Sequence, residues 1–443
     1  MTSAFQNAQL ALAQSTPNLP FLRSLNEAGK AAFLQASLPT RKTENFKYTS
    51  LLKLTQTQFG QATAVKANAE LAAAASIKDL NAARLVFING QLISELSDAL
   101  ALKEVVRFSE ANAEEQQWLQ QNLGAALNKA HKTAHLFNDL NNAALRDGVL
   151  IHIPHNQRLE KPLQISYLTT SNAEPFAVNA RIILWLENGA EATLVEHYGS
   201  DQHAQASLTN AITEIQIGDN AKLQHYRLQT MQEQAQHLGS TYVDLNRDSH
   251  YQGFHLSLGS VLTRNDLIIN HNVGGSHCEL SGVYIPQHQD VVDFHTCIEH
   301  RAPHCSSREV FRGIMNDKAK AVFNGRIHIW KDAQKSDAQL NNKNLLLTNS
   351  AEINTKPELE IYADDVKCAH GATVAQLDDK AVFYLQSRGV TKKDAEVMLS
   401  FGFINELLEA LPHKAMTQFL RPMLEQRFHS AGHLSAELLE EIK

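Results

Sequence analysis

Cysteine is scarce: Cys278, Cys297, Cys305 and Cys368 are the four thiols in 443 residues. Four do not make a disulfide framework in a chain this long, and a cytoplasmic setting would keep them reduced. Long hydrophobic runs are also missing; none approaches the ~20 residues of a membrane span. The amino terminus, MTSAFQNAQLALAQ, has no basic start followed by an apolar stretch. No signal peptide is read there, and the expected compartment is the cytoplasm. Positive charge is in slight deficit. Lys+Arg 40 minus Asp+Glu 47 gives −7, a field that draws neither nucleic acid nor an anionic membrane to the chain. Catalytic signatures are absent as well. Without GxxxxGK[ST] the chain is not expected to hydrolyse ATP itself, and there is no GxGxxG after a strand, no GxSxG and no HExxH. Acid pairs such as Asp364-Asp365 would point to opposite faces of a strand, which is poor geometry for shared acid–base work.

What remains is an ordinary soluble composition, with 43% hydrophobic and 20% charged residues. At ~150 residues per domain the length suggests two or three domains. Residues 1–147 read as a mostly helical region. Leu10, Leu12, Phe21, Leu22, Leu25, Phe33 and Leu34 recur at helical spacing, punctuated by Pro17, Pro20 and Pro39. Residues 61–76 are Ala-rich and nearly featureless, either a helix with little to bury or a linker. ARLVFINGQLI (83–93) reads as a strand, a turn at Asn89-Gly90 and a return. Trp118, Leu119, Leu123, Leu127, His135, Leu136 and Leu140 resume the helical pattern.

From Gly148 the character changes. Short alternating runs follow one another, among them RIILWL (181–186), ATLVEHY (192–198), AKLQHYRL (221–228), DLIINHNV (266–273) and AVFNGRIHI (321–329). Ten or so strands with almost no helix between them make 148–377 an all-β unit. A weak echo runs through it, in which Ala190, Ala221, Ala319 and Ala351 each follow a small turn. The first and last gaps between these alanines are nearly equal, and the middle one is close to three times as long. A fixed period of this kind suits a stacked solenoid. Strands around a narrow core would carry their polar residues outward, and many of the 21 histidines sit at alternate strand positions. Residues 378–443 return to helix. Asp378 or Asp379 caps a segment ending at Gly389, and Thr391 to Asp394 open a second helix. Its stripe of Val397, Met398, Phe401, Ile404, Leu407 and Leu408 packs on the protein's own body or serves a partner.

Two segments carry soft ligands. The run DFHTCIEHRAPHC holds His295, Cys297, His300, His304 and Cys305 close together. Imidazole and thiolate bind zinc, iron or copper, but this spacing does not match paired Cys-x-x-Cys sites. The bland alternative is a packed Cys297 among solvated or hydrogen-bonded histidines. Cys368 and His370 are two apart, so an extended chain puts both on one face. They offer half a tetrahedral site. A partner could supply the rest, or the segment is an ordinary strand end near Gly371.

Residues 309–405 closely resemble the SufB/SufD family of iron–sulfur cluster assembly proteins. The resemblance rests on FRGIMNDKAKAVFNGRIHI (311–329), AQKSDAQLNNKNLLLTNSAEINTKPELEIYADDVKCAHGATVAQLD (333–378) and FYLQSRGV (383–390). The stretch Arg41 to Thr49, RKTENFKYT, is similar to the family's N-terminal motif, with Phe46 where Trp is common. Gly371 follows the histidine where SufB tends to carry Glu, which favours the SufD branch.

The resemblance implies a right-handed parallel β-helix core flanked by N- and C-terminal helical domains. It implies a non-catalytic scaffold that pairs with SufB through the β-helices and docks the SufC ATPase through its C-terminal helical domain. His370 matches the histidine implicated as a ligand or assembly residue for a transient iron–sulfur cluster shared with SufB. Cys368 matches its neighbouring cysteine. ATP binding on SufC would move the two β-helices and expose the shared site. Apart from the resemblance, a self-pairing β-helix edge makes a homodimer of the isolated chain possible, since unpaired edges seek partners. Two other readings stand beside this one. A mononuclear metalloprotein would use the five residues between His295 and Cys305 and retain stoichiometric metal. A β-helix carbohydrate-active enzyme would release sugars, but the acid cluster and signal peptide it would use are not read here.

Overall fold

The short alternating runs fold as strands because apolar residues at every second position fall on one side of a pleated chain. The structure, a computed structural model, describes residues 3–14, 19–129, 136–201, 206–231 and 234–429. Pro17, His135 and the stretch 430–443 lie outside the described residues. Between Val149 and Ala375 successive strands go alternately to two sheets, one of ten strands and one of nine among the described residues. Their core strands are parallel. Gln236 pairs with Leu262, and Val149 with Ile182, in each case skipping the one strand that lies between them in the chain. One turn is therefore two strands, and about seven turns stack into a β-solenoid. Asn156, Gly189, Asn220, Asp248, Gly275, His304 and Lys335 all have positive φ and mark one corner of successive turns. At Gly189 the requirement is strict: φ is +71, and a Cβ would lie 2.1 Å from Asn156 Oδ1 of the preceding turn.

Several local expectations change. The alanine echo is not a uniform period. Ala190 and Ala221 precede strands of the ten-stranded sheet, whereas Ala319 and Ala351 precede strands of the other. Three full turns carry Lys222 to His250, His277 and Ser306. The gap from Ala221 to Ala319 therefore covers those three turns and the crossing to the opposite sheet. The sheets also reach back before residue 148. Ala83–Ile88 pairs in parallel with Leu163–Thr169, and Val105–Arg107 lies antiparallel to Val149–Ile153. In 61–76 only Ala69–Ala74 is helical, with Asn68 as its cap and Leu71 buried. Asp364 and Asp365 lie in the turn between Glu352–Ile361 and Lys367–Ala375, not on a strand.

The histidines depart furthest from expectation. His197, His225, His237, His255, His271 and His300 are all buried. The space between the sheets (the lumen) contains a polar layer as well as Leu, Ile and Phe. Glu196, fully buried, accepts from Arg227 Nη1 at 3.1 Å, Thr213 Oγ1 at 2.9 Å and the Tyr198 hydroxyl at 2.5 Å. His225 Nε2 lies 2.8 Å from its other oxygen. Burial alone would raise this carboxyl. The Arg227 charge and the donated hydrogen bonds outweigh it and hold the group far below the usual carboxylate range. A buried acid is tolerated here because every side of it is answered.

The outer faces are covered by the terminal regions. Phe137 and Leu140 of the helix Leu136–Ala144 pack with Leu208, Leu238 and Leu262 on the nine-stranded sheet. The segment 41–49 is pinned to that sheet: the Arg264 guanidinium lies 4.2 Å from the centre of the buried Phe46 ring, and Thr49 Oγ1 donates to Asp293 at 2.5 Å. Thr391 caps the helix Lys392–Glu409 through the Asp394 N–H. Of its stripe, Val397, Phe401, Ile404, Leu407 and Leu408 pack with Phe254, Leu256 and Val283 of the ten-stranded sheet. The stripe therefore serves the protein's own core.

Candidate functional site

The solenoid does not close at its C-terminal end. Glu352–Ile361 and Lys367–Ala375 are the last strands of their sheets, and each is hydrogen-bonded on one side only. Inner strands such as Gln236–Leu245 are buried along their whole length, whereas most positions of Lys367–Ala375 are exposed. Open N–H and C=O groups at such an edge template pairing with another strand. Ile361, Tyr362 and Val374 are exposed at this end, so the edge also offers apolar surface.

Cys368 and His370 lie on that terminal strand. Cys368 is in register with Ala338 and His370 with Leu340, both part of the core between the sheets. In parallel, in-register strands partners face the same way, so both side chains face the mouth of the lumen. Cys368 is half-buried against the core, and His370 is exposed. Burial pushes the Cys368 thiol up to about 11, with Asp337 adding to the effect. At neutral pH it is a thiol, and only a metal that displaces its proton would make it a ligand. The exposed imidazole is the readier donor of the two. Together they supply one nitrogen and one sulfur at a surface another chain can reach.

The other candidate cluster does not converge. Cys297 faces outward yet is buried, with Arg326 Nη1 3.3 Å and Glu299 Oε1 3.5 Å from its sulfur. Burial, then the Glu299 charge, pushes this thiol to about 12. His295 Nε2 lies 2.9 Å from Asp293 Oδ1 on the same face. His300 is buried, stacks on His271 at 4.5 Å between ring centres and meets Ser307 Oγ at 2.8 Å. His304 sits exposed at a left-handed corner, and Cys305 receives a bond from Ser276 at 3.4 Å. Each has its own structural setting, and no group of three metal-ligating residues occurs among the described residues.

The lumen layer around Glu196, His225 and Arg227 escaped sequence reasoning. Its signal was a charge inside an otherwise apolar alternation, Leu194-Val-Glu196-His-Tyr198. A partnered interior acid and a solvated one give the same pattern.

The family model "SUF system FeS cluster assembly, SufBD core domain" matches residues 167–403, and "SufBD protein N-terminal region" matches 2–165. The chain is 35% identical over 396 residues to the iron–sulfur cluster assembly protein SufD of Escherichia coli, covering 89% of this chain and 90% of that protein. It is 31% identical over 415 residues to an iron–sulfur cluster assembly SufBD family protein of Synechocystis, covering 91% of each. A SufD of Bacillus subtilis is 26% identical over 298 residues, covering 66% of this chain and 67% of that protein.

Proposed function

The chain belongs to the SufBD family of iron–sulfur cluster assembly proteins, and we propose that it serves as a non-catalytic scaffold subunit in a cytoplasmic SufB–SufC–SufD complex. The observation that carries this reading is the placement of Cys368 and His370 on a terminal strand with one open edge at the mouth of the solenoid. A SufB solenoid docking there would extend both sheets and bring its own ligands against His370. The nascent cluster is cargo. Ligands divided between two subunits can be parted to release it, which a closed four-cysteine cage resists. The helices Asp379–Gln386, Lys392–Glu409 and Lys414–His429 are the surface we assign to SufC. Phe383 and Tyr384, at 71% and 54% exposure, are its apolar contacts. When SufB is absent the same edge can pair with a second copy of this chain.

The test is co-expression with SufB and SufC, co-purification, and anaerobic reconstitution of the cluster. His370→Ala should still co-purify but lose most of the cluster absorbance, and Cys368→Ser should lose less. Full cluster assembly by His370→Ala would refute the ligand role. Failure of the three chains to associate would refute the scaffold reading.

A further inference from the structure

A second feature lies on the outer face of the ten-stranded sheet, where a cavity of about 730 Å³ opens between the sheet and the C-terminal end of the helix Lys392–Glu409. That volume is in the range of small-molecule sites, about 300–1,000 Å³. Its walls carry Arg308, Arg312 and Lys343. Arg312 and Lys343 are register partners on adjacent strands, and like charges directly opposite destabilise a sheet. Elsewhere in the solenoid, on either sheet, an outward cation is answered by an acid one turn away: Lys222 by Glu191 at 3.5 Å, Lys320 by Glu352 at 2.9 Å and Arg326 by Glu360 at 3.0 Å.

The three cavity cations have no such answer among the described residues. Arg312 is buried, and its Nη1 donates to Asn341 Oδ1 at 2.7 Å and to the Phe311 carbonyl at 3.2 Å, neither of them charged. Three acidic residues line the cavity: Glu279 and Glu406 on its outer side, and Glu309, whose side chain is buried on the lumen side in register with Leu340. Glu279 is in register with Arg308, but no ion pair joins them among the described residues; its oxygens meet Gln252 at 3.3 Å and His277 at 3.4 Å instead. Glu406 acts on Arg312 only through space. The floor is open: a Cβ at Gly371 would meet nothing nearer than Asn341 Nδ2, at 3.7 Å.

We propose that this cavity binds a phosphate-bearing small molecule, with Arg312 and Lys343 holding the phosphate and Arg308 closing the rim. Guanidinium forks match phosphate oxygens in pairs, and a lysine adds a mobile point charge. The bound anion removes the repulsion between the register partners. His370 and Gly371 also line this cavity, so it adjoins the lumen mouth; its three cations are not the proposed cluster ligands, and the inference stands whether or not the scaffold reading does.

The test is isothermal titration calorimetry on the full chain in phosphate-free buffer, with inorganic pyrophosphate and ADP as probes. Saturable binding is expected, weakening as NaCl is raised. Lys343→Gln and Arg308→Gln should each weaken it about tenfold, since a hydrogen bond to a charged group is worth about that much. Lys343→Arg should keep it. Both side chains are exposed, so these variants decide the matter even if Arg312→Gln fails to fold. ADP binding well above pyrophosphate assigns a nucleotide, and equal affinities assign the phosphate group alone; either result upholds the site. No saturable heat with either probe, or unchanged affinity in the Arg308→Gln/Lys343→Gln double variant, overturns it.

Discussion

Alkylation of Cys368 by iodoacetamide tests the electrostatics of the lumen mouth directly. Cys278, Cys297 and Cys305 are buried, and Cys368 alone of the four is part-exposed, so modification should begin there. Its thiol is held up at about 11 against about 8.5 for a free cysteine. At pH 8 the thiolate fraction is then about 1 in 1,000, compared with about 1 in 4 for a free thiol, a deficit of roughly 240-fold. A more basic thiolate is a better nucleophile. With a Brønsted slope of about 0.45 over about 2.5 units, it recovers roughly 13-fold. The net expectation is alkylation about 20-fold slower than a small free thiol, read by mass spectrometry of the tryptic peptide. The rate should keep climbing tenfold per pH unit through pH 9 without a plateau. A thiophilic ion such as Zn²⁺ or Fe²⁺, held by Cys368 and His370, should slow it further by occupying the sulfur. A rate that levels off below pH 9, or that matches a free thiol at pH 8, would refute the claim that the core raises this thiol. The site would then be better suited to a resident thiolate than the geometry implies.

Other predictions concern the lumen and the open end. Arg227→Met strands the Glu196 carboxylate and should cost about 3–5 kcal/mol, measured as a fall in the urea midpoint. The sign of its pH dependence is the sharper check. In the parent the depressed Glu196 adds stability above the unfolded value of about 4.3, lost as pH falls below it. In the variant burial dominates, the carboxyl titrates high, and stability should instead rise as pH falls from 7 to 5. Glu309 is buried in the lumen with no charged partner among the described residues, and burial pushes it up to about 8 against the smaller opposing effect of a Thr296 hydroxyl. Its cost therefore accumulates from about pH 4.3 to about 8 and is complete above that. Glu309→Gln should match the parent in thermal melts near pH 4 and exceed it at pH 9; equal melting at both would show that the carboxyl is solvated or paired. Val374→Lys, on the exposed edge strand, should leave thermal stability within about 0.5 kcal/mol, as surface changes do. It should abolish self-association in sedimentation if that edge is the pairing surface.

The strands were legible because their signal is local. Runs such as RIILWL and AKLQHYRL alternate on their own account, and Thr391 and Asp378 announce their helices by hydrogen bonds to the backbone just ahead of them. The pair Cys368 and His370 was legible for the same reason, since a spacing of two is one face of a strand. The sequence around His295 and Cys305 was misleading because proximity along a chain says nothing about convergence when a strand turns a corner between them. Alternation within Val291–His300 puts His295 and Cys297 outside and His300 inside, and the corner at Ala302 to His304 carries Cys305 on to the opposite sheet.

Period-two alternation names two faces but not which one is inside. That choice was left to the tertiary structure, and with it the fate of the histidines, of Glu196 and of Arg227. Their partners lie on other strands and in neighbouring turns, as Arg227 lies one full turn beyond Glu196, and no short window along the chain contains both ends of such a bond. The family, the strands and the helix caps belong to the sequence alone. The polar lumen, the open mouth and the unanswered cations beside it exist only once strands from successive turns are stacked in register, because burial and charge pairing are properties of neighbours in space.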